Sequence, residues 1–467
     1  MSVSGLSEQP RPARPAWGLL VELDGRPVAF PAVSADIVLP ELSLVVLVGP
    51  AGSGKSTFAQ ARFKPTEVIS SDFCRALIAD DERDQTATPG AFQILHLIAG
   101  LRLRRRRLTV IDAVNSKPED RRPLLELASE QDCAAIALVF DVPAEVCAER
   151  DARRGRMVGR RAIEAQGAEV SASLPVIREE GFAAVHMLGA DAAERVVKRV
   201  PLGVNRRWER GPFDVIGDVH GCSSELEELL GELGYRAAGR GDDHPETLVH
   251  PEGRRAVFVG DLVDRGPDTP GVLRRVVGMV AARSALCVAG NHDDKLRRAL
   301  LGRPVKVAYG LEASLRQLED GPALRQDARV FLESLPSHYV LDRGALVVAH
   351  AGIKSSMQGR DSPRIRRFTL YGETTGETDE SGFPVRLDWA RDYRGRAFVV
   401  YGHTPVAEPS WRGRTINIDS GCVFGGRLTA LRYPEMQLVS VAARGRYAER
   451  RPDGEDAGAE PEGAAFP

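Results

Sequence analysis

The sequence predicts an α/β protein of two successive domains, a doubly wound parallel sheet followed by a layered α/β sandwich. Three observations predict it. Short apolar runs alternate with helical patterns along most of the 467 residues, a length beyond one ordinary core. A glycine-rich loop follows the first strong run at Leu42–Val48. Five later runs each stop at an aspartate, asparagine or histidine, the edge where α/β folds gather ligands.

The first domain spans 17–200. Leu42–Val48 is a continuous apolar run, as a strand covered on both faces requires. Val68–Ser70, Leu108–Ile111 and Ile136–Phe140 read as further strands of that sheet, with a helix from about Ser56 and another within Ser116–Gln131. Arg199–Pro212 carries two prolines, two glycines and several arginines, and a linker is expected over 201–212. The second domain, 213–442, opens with the strand Phe213–Ile216. Strands follow at Ala256–Val259, Leu286–Ala289, Leu346–Ala349, Phe398–Tyr401 and Thr415–Ile418. Residues 1–16 and 443–467 are aperiodic and rich in Pro, Gly, Ala and Glu, so tails are expected there.

Bulk properties exclude several classes. A net charge of -2 excludes a protein that coats nucleic acid by bulk attraction, leaving the arginine-rich stretches 102–107 and 150–161 as local basic patches. Six scattered cysteines without a CxxC pair indicate neither a disulfide framework nor a structural zinc site. No signal peptide and no run of 18 apolar residues are present, so a cytoplasmic protein that spans no membrane is expected.

Two constellations carry chemistry. Gly49-Pro-Ala-Gly52-Ser53-Gly54-Lys55-Ser56 matches GxxxxGK[ST] between a strand and a helix. Its glycines let backbone N–H groups wrap a triphosphate, Lys55 reaches the outer phosphates and Ser56 suits Mg²⁺. Beyond the next strand, Asp72 could take a proton from an attacking hydroxyl and Arg75 could hold an acceptor, or the pair could be a helix cap and an exposed arginine. Asp112 and Asn115 could be site residues or a capped turn. The arginines of Glu149–Arg161 could close over a transferring phosphoryl group or form a solvated face.

The second constellation is Asp218-Val-His220, Gly260-Asp261-Leu-Val-Asp264-Arg265-Gly266, Gly290-Asn291-His292-Asp293, His350 and Gly402-His403. Oxygen and imidazole donors with one shared carboxylate suit two divalent ions.

These residues resemble, over about 212–442, the calcineurin-like metallophosphoesterases and, over about 17–200, a P-loop kinase. In this order the pair resembles the bacterial polynucleotide kinase-phosphatases of RNA end repair. The carriers include Gly49–Thr57, Ser71-Asp72-Phe73-Cys74-Arg75, Asp112-Ala-Val-Asn115 with Pro118-Glu119 and Arg121, and the metal motifs. Ala349-His350-Ala351-Gly352, Tyr401-Gly402-His403-Thr404-Pro405 and Asn417-Ile418-Asp419-Ser420-Gly421 complete the match. The resemblance implies ATP with Mg²⁺ held by Gly49, Gly52, Ser53, Gly54, Lys55, Ser56 and Thr57, with lid arginines among Arg150, Arg153 and Arg156. It implies Asp72 as general base for a 5′-OH end and Arg75 as acceptor contact. Asp218, His220 and Asp261 would hold one metal, and Asp261, Asn291, His350 and His403 the other; Mn²⁺, Ni²⁺ and Fe²⁺ all fit such donors. His292, oriented by Asp264, would protonate the leaving group, Arg265 would clamp the phosphate, and Asp419 would be a further acid.

Two departures stand out. Val114 occupies a position where the family pattern has threonine, and no lysine-centred ligase motif occurs, so a separate ligase partner is expected. RNA ends, with DNA ends an alternative, are the expected substrates: phosphorylated at 5′-OH, and cleared of 2′,3′-cyclic, 2′- or 3′-phosphate. Two rivals share the same residues, since a fold does not fix a substrate. One is a small-metabolite kinase fused to a dinucleoside-polyphosphate or protein phosphatase. The other is an ATP-binding module that gates the phosphatase.

Overall fold

The computed structural model describes residues 21–23, 26–28, 36–153, 158–237, 248–378 and 384–449. The chain divides into two units between Pro201 and Leu202. The tail expected at 1–16, and residues 450–467 of the one expected at 443–467, lie outside the described residues.

In the first unit the strands are β1 (Ser43–Val48), β2 (Val68–Ser70), β3 (Thr109–Asp112), β4 (Ala134–Phe140) and β5 (Ala184–Leu188), in the parallel order β2-β3-β1-β4-β5. Every residue of β1 and β4 is buried, as continuous apolar runs require when both sheet faces are covered. The chain leaves β1 toward β2 and β3 on one side and later fills β4 and β5 on the other. The end of β1 is therefore the switch point, where open α/β sheets bind ligands, and the glycine loop is seated there. Helices α1 (Lys55–Arg62) and α2 (Ser71–Ala79) follow β1 and β2; α3 (Pro118–Glu130), α4 (Ala144–Ala152) and α5 (Arg160–Ser173) come later. Phe58, Phe63 and Phe140 fill the core between α1 and the sheet.

Sequence periodicity misses β5, whose alternation is blurred by half-buried residues, and the parallel pair Asp36–Pro40 with Val196–Val200. That pair is anchored to the unit by Arg199, whose two guanidinium nitrogens donate to Glu67 at 2.7 Å each. Burial pushes the Glu67 carboxyl up, but Arg199 and the Lys64 N–H outweigh it and hold the pKa below 4.5. A depressed carboxylate stabilises the fold above its unfolded pKa and loses that contribution as pH falls through the folded value. Glu67→Gln is expected to cost about 1–2 kcal/mol at neutral pH, discounted because Arg199 is partly exposed. Thermal unfolding should show the two proteins converging below pH 4.5.

The second unit is a sandwich of two five-stranded sheets. With β6 (Phe213–Ile216), β7 (Arg255–Phe258), β8 (Ala285–Cys287), β14 (Arg427–Tyr433) and β15 (Gln437–Ala442), one sheet runs β8-β7-β6-β14-β15. With β9 (His338–Leu341), β10 (Leu346–Ala349), β11 (Phe398–Tyr401), β12 (Trp411–Arg412) and β13 (Thr415–Asn417), the other runs β9-β10-β11-β13-β12. Val215, Val257 and Val288 face Leu341, Val348, Val400 and Ile416 across the middle. Helices α6 (Ser223–Leu233), α7 (Thr269–Ala281), α8 (Asn291–Leu300), α9 (Leu311–Gln317) and α10 (Pro322–Ser334) supply an outer layer, from which Leu226, Val272, Leu296 and Phe331 join the opposite face of the first sheet.

Two boundaries differ from the sequence reading. The stretch expected as a linker runs along the edge strand β9: Val340 N–H donates to Val204 O at 2.8 Å and Arg206 N–H to Val340 O at 2.9 Å. It covers an edge that would otherwise expose a row of unpaired backbone groups. Past Ala442, where a tail is expected, Ala443 N–H donates to Gly426 O, and Tyr447 packs on the helical core with its hydroxyl on Glu225. Among the described residues no helix is long and apolar enough to cross a membrane.

Candidate active sites

Each unit carries one site, built at strand ends. In the first, the loop after β1 needs its glycines: Gly52 and Gly54 have φ of 82° and 99°, and a Cβ on Gly52 would collide with the Cys147 carbonyl. Lys55 Nζ, buried, donates to Gly49 O at 2.6 Å and Pro50 O at 2.8 Å, so the ammonium lies inside the loop. Ser56 and Thr57 are exposed on the first turn of α1. Arg150 and Arg153, at the end of α4, line a cavity with Ser53, Gly54, Thr57 and Arg62. Both arginines thus reach the loop; Arg156 lies outside the described residues.

Asp72 and Arg75 are on the first turns of α2, at the same sheet edge as the loop. The cap of that helix is Ser70, whose hydroxyl accepts from the Asp72 and Phe73 N–H groups at 3.2 and 3.4 Å. Asp72 is therefore not consumed as a cap. Its carboxylate hydrogen-bonds the buried Arg75 guanidinium, which also donates to Glu82 O at 2.9 Å. Asp112 ends β3, in register with Ser70. Asn115, at a φ of 47°, donates through Nδ2 to Leu47 O at 2.7 Å and so ties its turn to β1, while its Oδ1 is buried without a hydrogen-bond partner among the described residues. The loop has another support that sequence reading misses. Gln166 Oε1 accepts from Ala51 N–H at 2.9 Å across 115 positions, a contact no local pattern announces.

In the second unit the ends of β6, β7, β10 and β11 and the start of α8 converge. Two groups of potential ligands share Asp261: His220, Asp261 and His292, and Asp261, His350 and His403, the donor atoms of each group lying within 4.8 Å of one another. Asn291 Oδ1 joins the latter, 2.9 Å from His350 Nε2 and 3.0 Å from His403 Nδ1. Asp218 lies against the same group: its Oδ2 accepts from His403 N–H at 3.0 Å and is 4.0 Å from His350 Nδ1. His292, expected only as an acid, is thus itself a member of the first group of potential ligands.

Backbone carbonyls fix the rings. Val263 O lies 2.9 Å from His220 Nδ1 and Val259 O 3.2 Å from His350 Nδ1; a carbonyl only accepts, so each Nδ1 carries the proton and each Nε2 faces Asp261. Local strain aims these side chains, with positive φ at His220, Asp261, Asp264, Arg265 and His403. Close approach requires glycine at two positions: a Cβ on Gly290 would strike Asp261 Oδ1, and one on Gly402 would strike Asp218 Oδ1.

Charge is crowded here. Burial first, then Asp419 and Asp261, push the Asp218 carboxyl well up. Burial, with Arg265, pulls His220 down to about 3, so its approach to Asp261 is no ion pair. Burial also pulls His350 down, but Asp261 more than reverses this and leaves it above the ordinary value. Asp419 is pushed up to about 6, chiefly by burial. The site therefore attracts positive charge, and Asp218 Oδ1 is buried with no hydrogen-bond partner among the described residues. Carboxylate, amide and imidazole donors around an orphaned oxygen fit divalent cations.

Beside them, His292 Nδ1 is 2.7 Å from Asp264 Oδ2, and Asp264 accepts from Ser314 Oγ at 2.6 Å. Arg265 reaches His220 Nε2 at 3.1 Å and stacks over Phe424. Asp293 accepts from the Leu262 and Gly290 N–H groups, stapling two ligand-bearing loops together. Sequence reading names Asp293 only as a motif letter and misses Ser314, which lies 50 positions from Asp264.

This arrangement defines a metallophosphoesterase joined to a P-loop kinase-like domain. Residues 211–442 match the calcineurin-like phosphoesterase family model and residues 44–175 an AAA domain model. Three relatives are bis(5′-nucleosyl)-tetraphosphatases (PrpE, asymmetrical). That of Anoxybacillus flavithermus is 46% identical over 240 residues, covering 50% of this chain and 96% of the relative. That of Geobacillus thermodenitrificans is 49% identical over 234 residues (49% and 93%), and that of Bacillus subtilis 45% identical over 244 residues (51% and 98%). The chain belongs, through its C-terminal half, to the calcineurin-like phosphoesterases.

Proposed function

We propose that the protein heals nucleic-acid ends. The first unit transfers the γ-phosphate of ATP to a 5′-OH polynucleotide end. The second removes a 2′,3′-cyclic, 2′- or 3′-phosphate from an RNA end. The observation that carries this reading is the Asp72–Arg75 pair at the same sheet edge as the Lys55 loop, on the chain that also holds the phosphoesterase centre. A nucleotide switch needs no acceptor base, whereas a kinase does. Asp72 takes the proton of the attacking hydroxyl, Arg75 holds the acceptor, and Arg150 and Arg153 neutralise charge on the phosphoryl group in flight. Phe73, 60% exposed on the turn that bears Asp72, suits an acceptor with bases to stack rather than a small metabolite.

In the phosphoesterase, Asp218, His220, Asp261, Asn291, His350 and His403 would hold two divalent metals, with Mn²⁺ and Ni²⁺ the leading candidates. Bound there, the pair neutralises phosphate charge and activates water. Arg265 clamps the phosphate and His292, oriented by Asp264, delivers a proton to the leaving oxygen.

A second reading is favoured by the relatives' names: hydrolysis of dinucleoside polyphosphates by the same centre. The test is γ-labelled ATP with matched 5′-OH RNA and DNA. Label in the oligonucleotide supports end healing; label only in free phosphate supports a nucleotide switch and overturns it. A parallel assay of 3′-phosphorylated RNA against diadenosine tetraphosphate decides the substrate of the second centre.

A further inference from the structure

The buried carboxyl of Asp264 puts its two oxygens to different uses. Oδ2 is 2.7 Å from His292 Nδ1, and Oδ1 accepts from the Ser314 hydroxyl at 2.6 Å. Ser314 stands on α9, 50 positions further along the chain, and is itself wholly buried. A serine hydroxyl has one hydrogen to give and two lone pairs to receive. Its hydrogen goes to Asp264, and the Asp264 N–H donates back to Ser314 Oγ at 3.0 Å. The buried Thr269 hydroxyl, 3.2 Å away, is therefore the donor to the remaining lone pair. With all three capacities used, the direction of the Ser314 hydroxyl is fixed. The same helix takes a second hold through Gln317, one turn on: Oε1 accepts from the Thr269 N–H at 2.8 Å and Nε2 donates to Gly266 O at 3.4 Å. The segment between these grips needs them. Asp264 and Arg265 have φ of 71° and 70°, a conformation that side-chain-bearing residues keep only where their surroundings impose it.

Resting on the phosphoesterase reading, we propose that Ser314 is a positioning residue for the proton transfer that completes ester cleavage. It turns Asp264 so that Oδ2 meets His292, and the imidazole is thereby held along one line toward the leaving group. As the P–O bond breaks, the leaving oxygen keeps the bonding pair and takes the proton of His292. Ser314 acts only through Asp264. Without its hydroxyl the carboxyl can rotate about its Cβ–Cγ bond, and the imidazole follows it over a range of directions. A well-aimed proton donor matters most where the departing oxygen is least stable as an anion. Loss of Ser314 therefore has a signature that general loosening of the site does not share: its cost grows as the leaving group becomes poorer.

The test uses the full metal-loaded chain with p-nitrophenyl phosphate and phenyl phosphate, which share a shape and differ in how readily the oxygen departs. Ser314→Ala should lower the ratio of kcat/KM on phenyl phosphate to that on p-nitrophenyl phosphate about fivefold, a part of the 10²–10⁴ that a placed general acid supplies. Metal retained after desalting should match wild type. Ser314→Thr, which keeps the hydroxyl, should keep most of the ratio. Thr269→Val removes the donor to Ser314 at nearly constant shape and should lower the ratio about twofold; it carries the test should Ser314→Ala fail to fold. An unchanged ratio, equal losses on both substrates, or a loss that tracks lost metal overturns the positioning role. Wild-type protein inert on both substrates and on diadenosine tetraphosphate would instead overturn the phosphoesterase reading itself.

Discussion

Asp261→Asn should abolish phosphoester hydrolysis, by about a thousandfold or more in kcat, while phosphoryl transfer from ATP stays within about twofold of wild type. Asp261 is the one residue common to both ligand groups, and it also accepts from His292 N–H at 3.0 Å through Oδ1. The substitution preserves volume and that acceptor but removes a negative charge from a pocket that draws cations. Metal content measured after loading and desalting should fall below that of wild type in parallel with activity. Retained metal together with retained hydrolysis would remove Asp261 from its bridging role.

Asp72→Asn should lower 5′-kinase activity about 10²–10⁴-fold, the usual contribution of a general base, and leave hydrolysis at the other centre intact. Because Asp72 also holds Arg75, part of the loss should appear in the KM of the acceptor rather than in kcat. The assay is initial-rate labelling of a 5′-OH oligonucleotide at varied acceptor concentration. Loss of both activities from either substitution would contradict two chemically separate sites.

Much of this site was legible in the sequence because strand ends carry it. Asp218, Asp261, Asn291, His350 and His403 each follow an apolar run, and a run that stops at a ligand announces both the strand and its edge. The glycine loop was legible for the same reason. What escaped were contacts made by chain closure: Gln166 on the Ala51 N–H and Ser314 on Asp264. These residue types are ordinary on helix surfaces, and only the packing of α5 and α9 gives them a role. The linker escaped too, since proline and glycine mark a bend without telling whether the chain between them joins a neighbouring edge strand. Asp72 shows the reverse case. Its place at the start of a helix left a cap as plausible as a base, and the Ser70 hydroxyl settles which residue caps.

The most direct measurement is one reaction on one substrate: an RNA bearing a 5′-OH and a 3′-phosphate, incubated with ATP, Mg²⁺ and Mn²⁺, its two termini then read separately by mass spectrometry. The account predicts a 5′-phosphate gained and the 3′-phosphate lost, with Asp72→Asn blocking only the gain and Asp261→Asn only the loss. Unaltered termini alongside rapid hydrolysis of diadenosine tetraphosphate would contradict it.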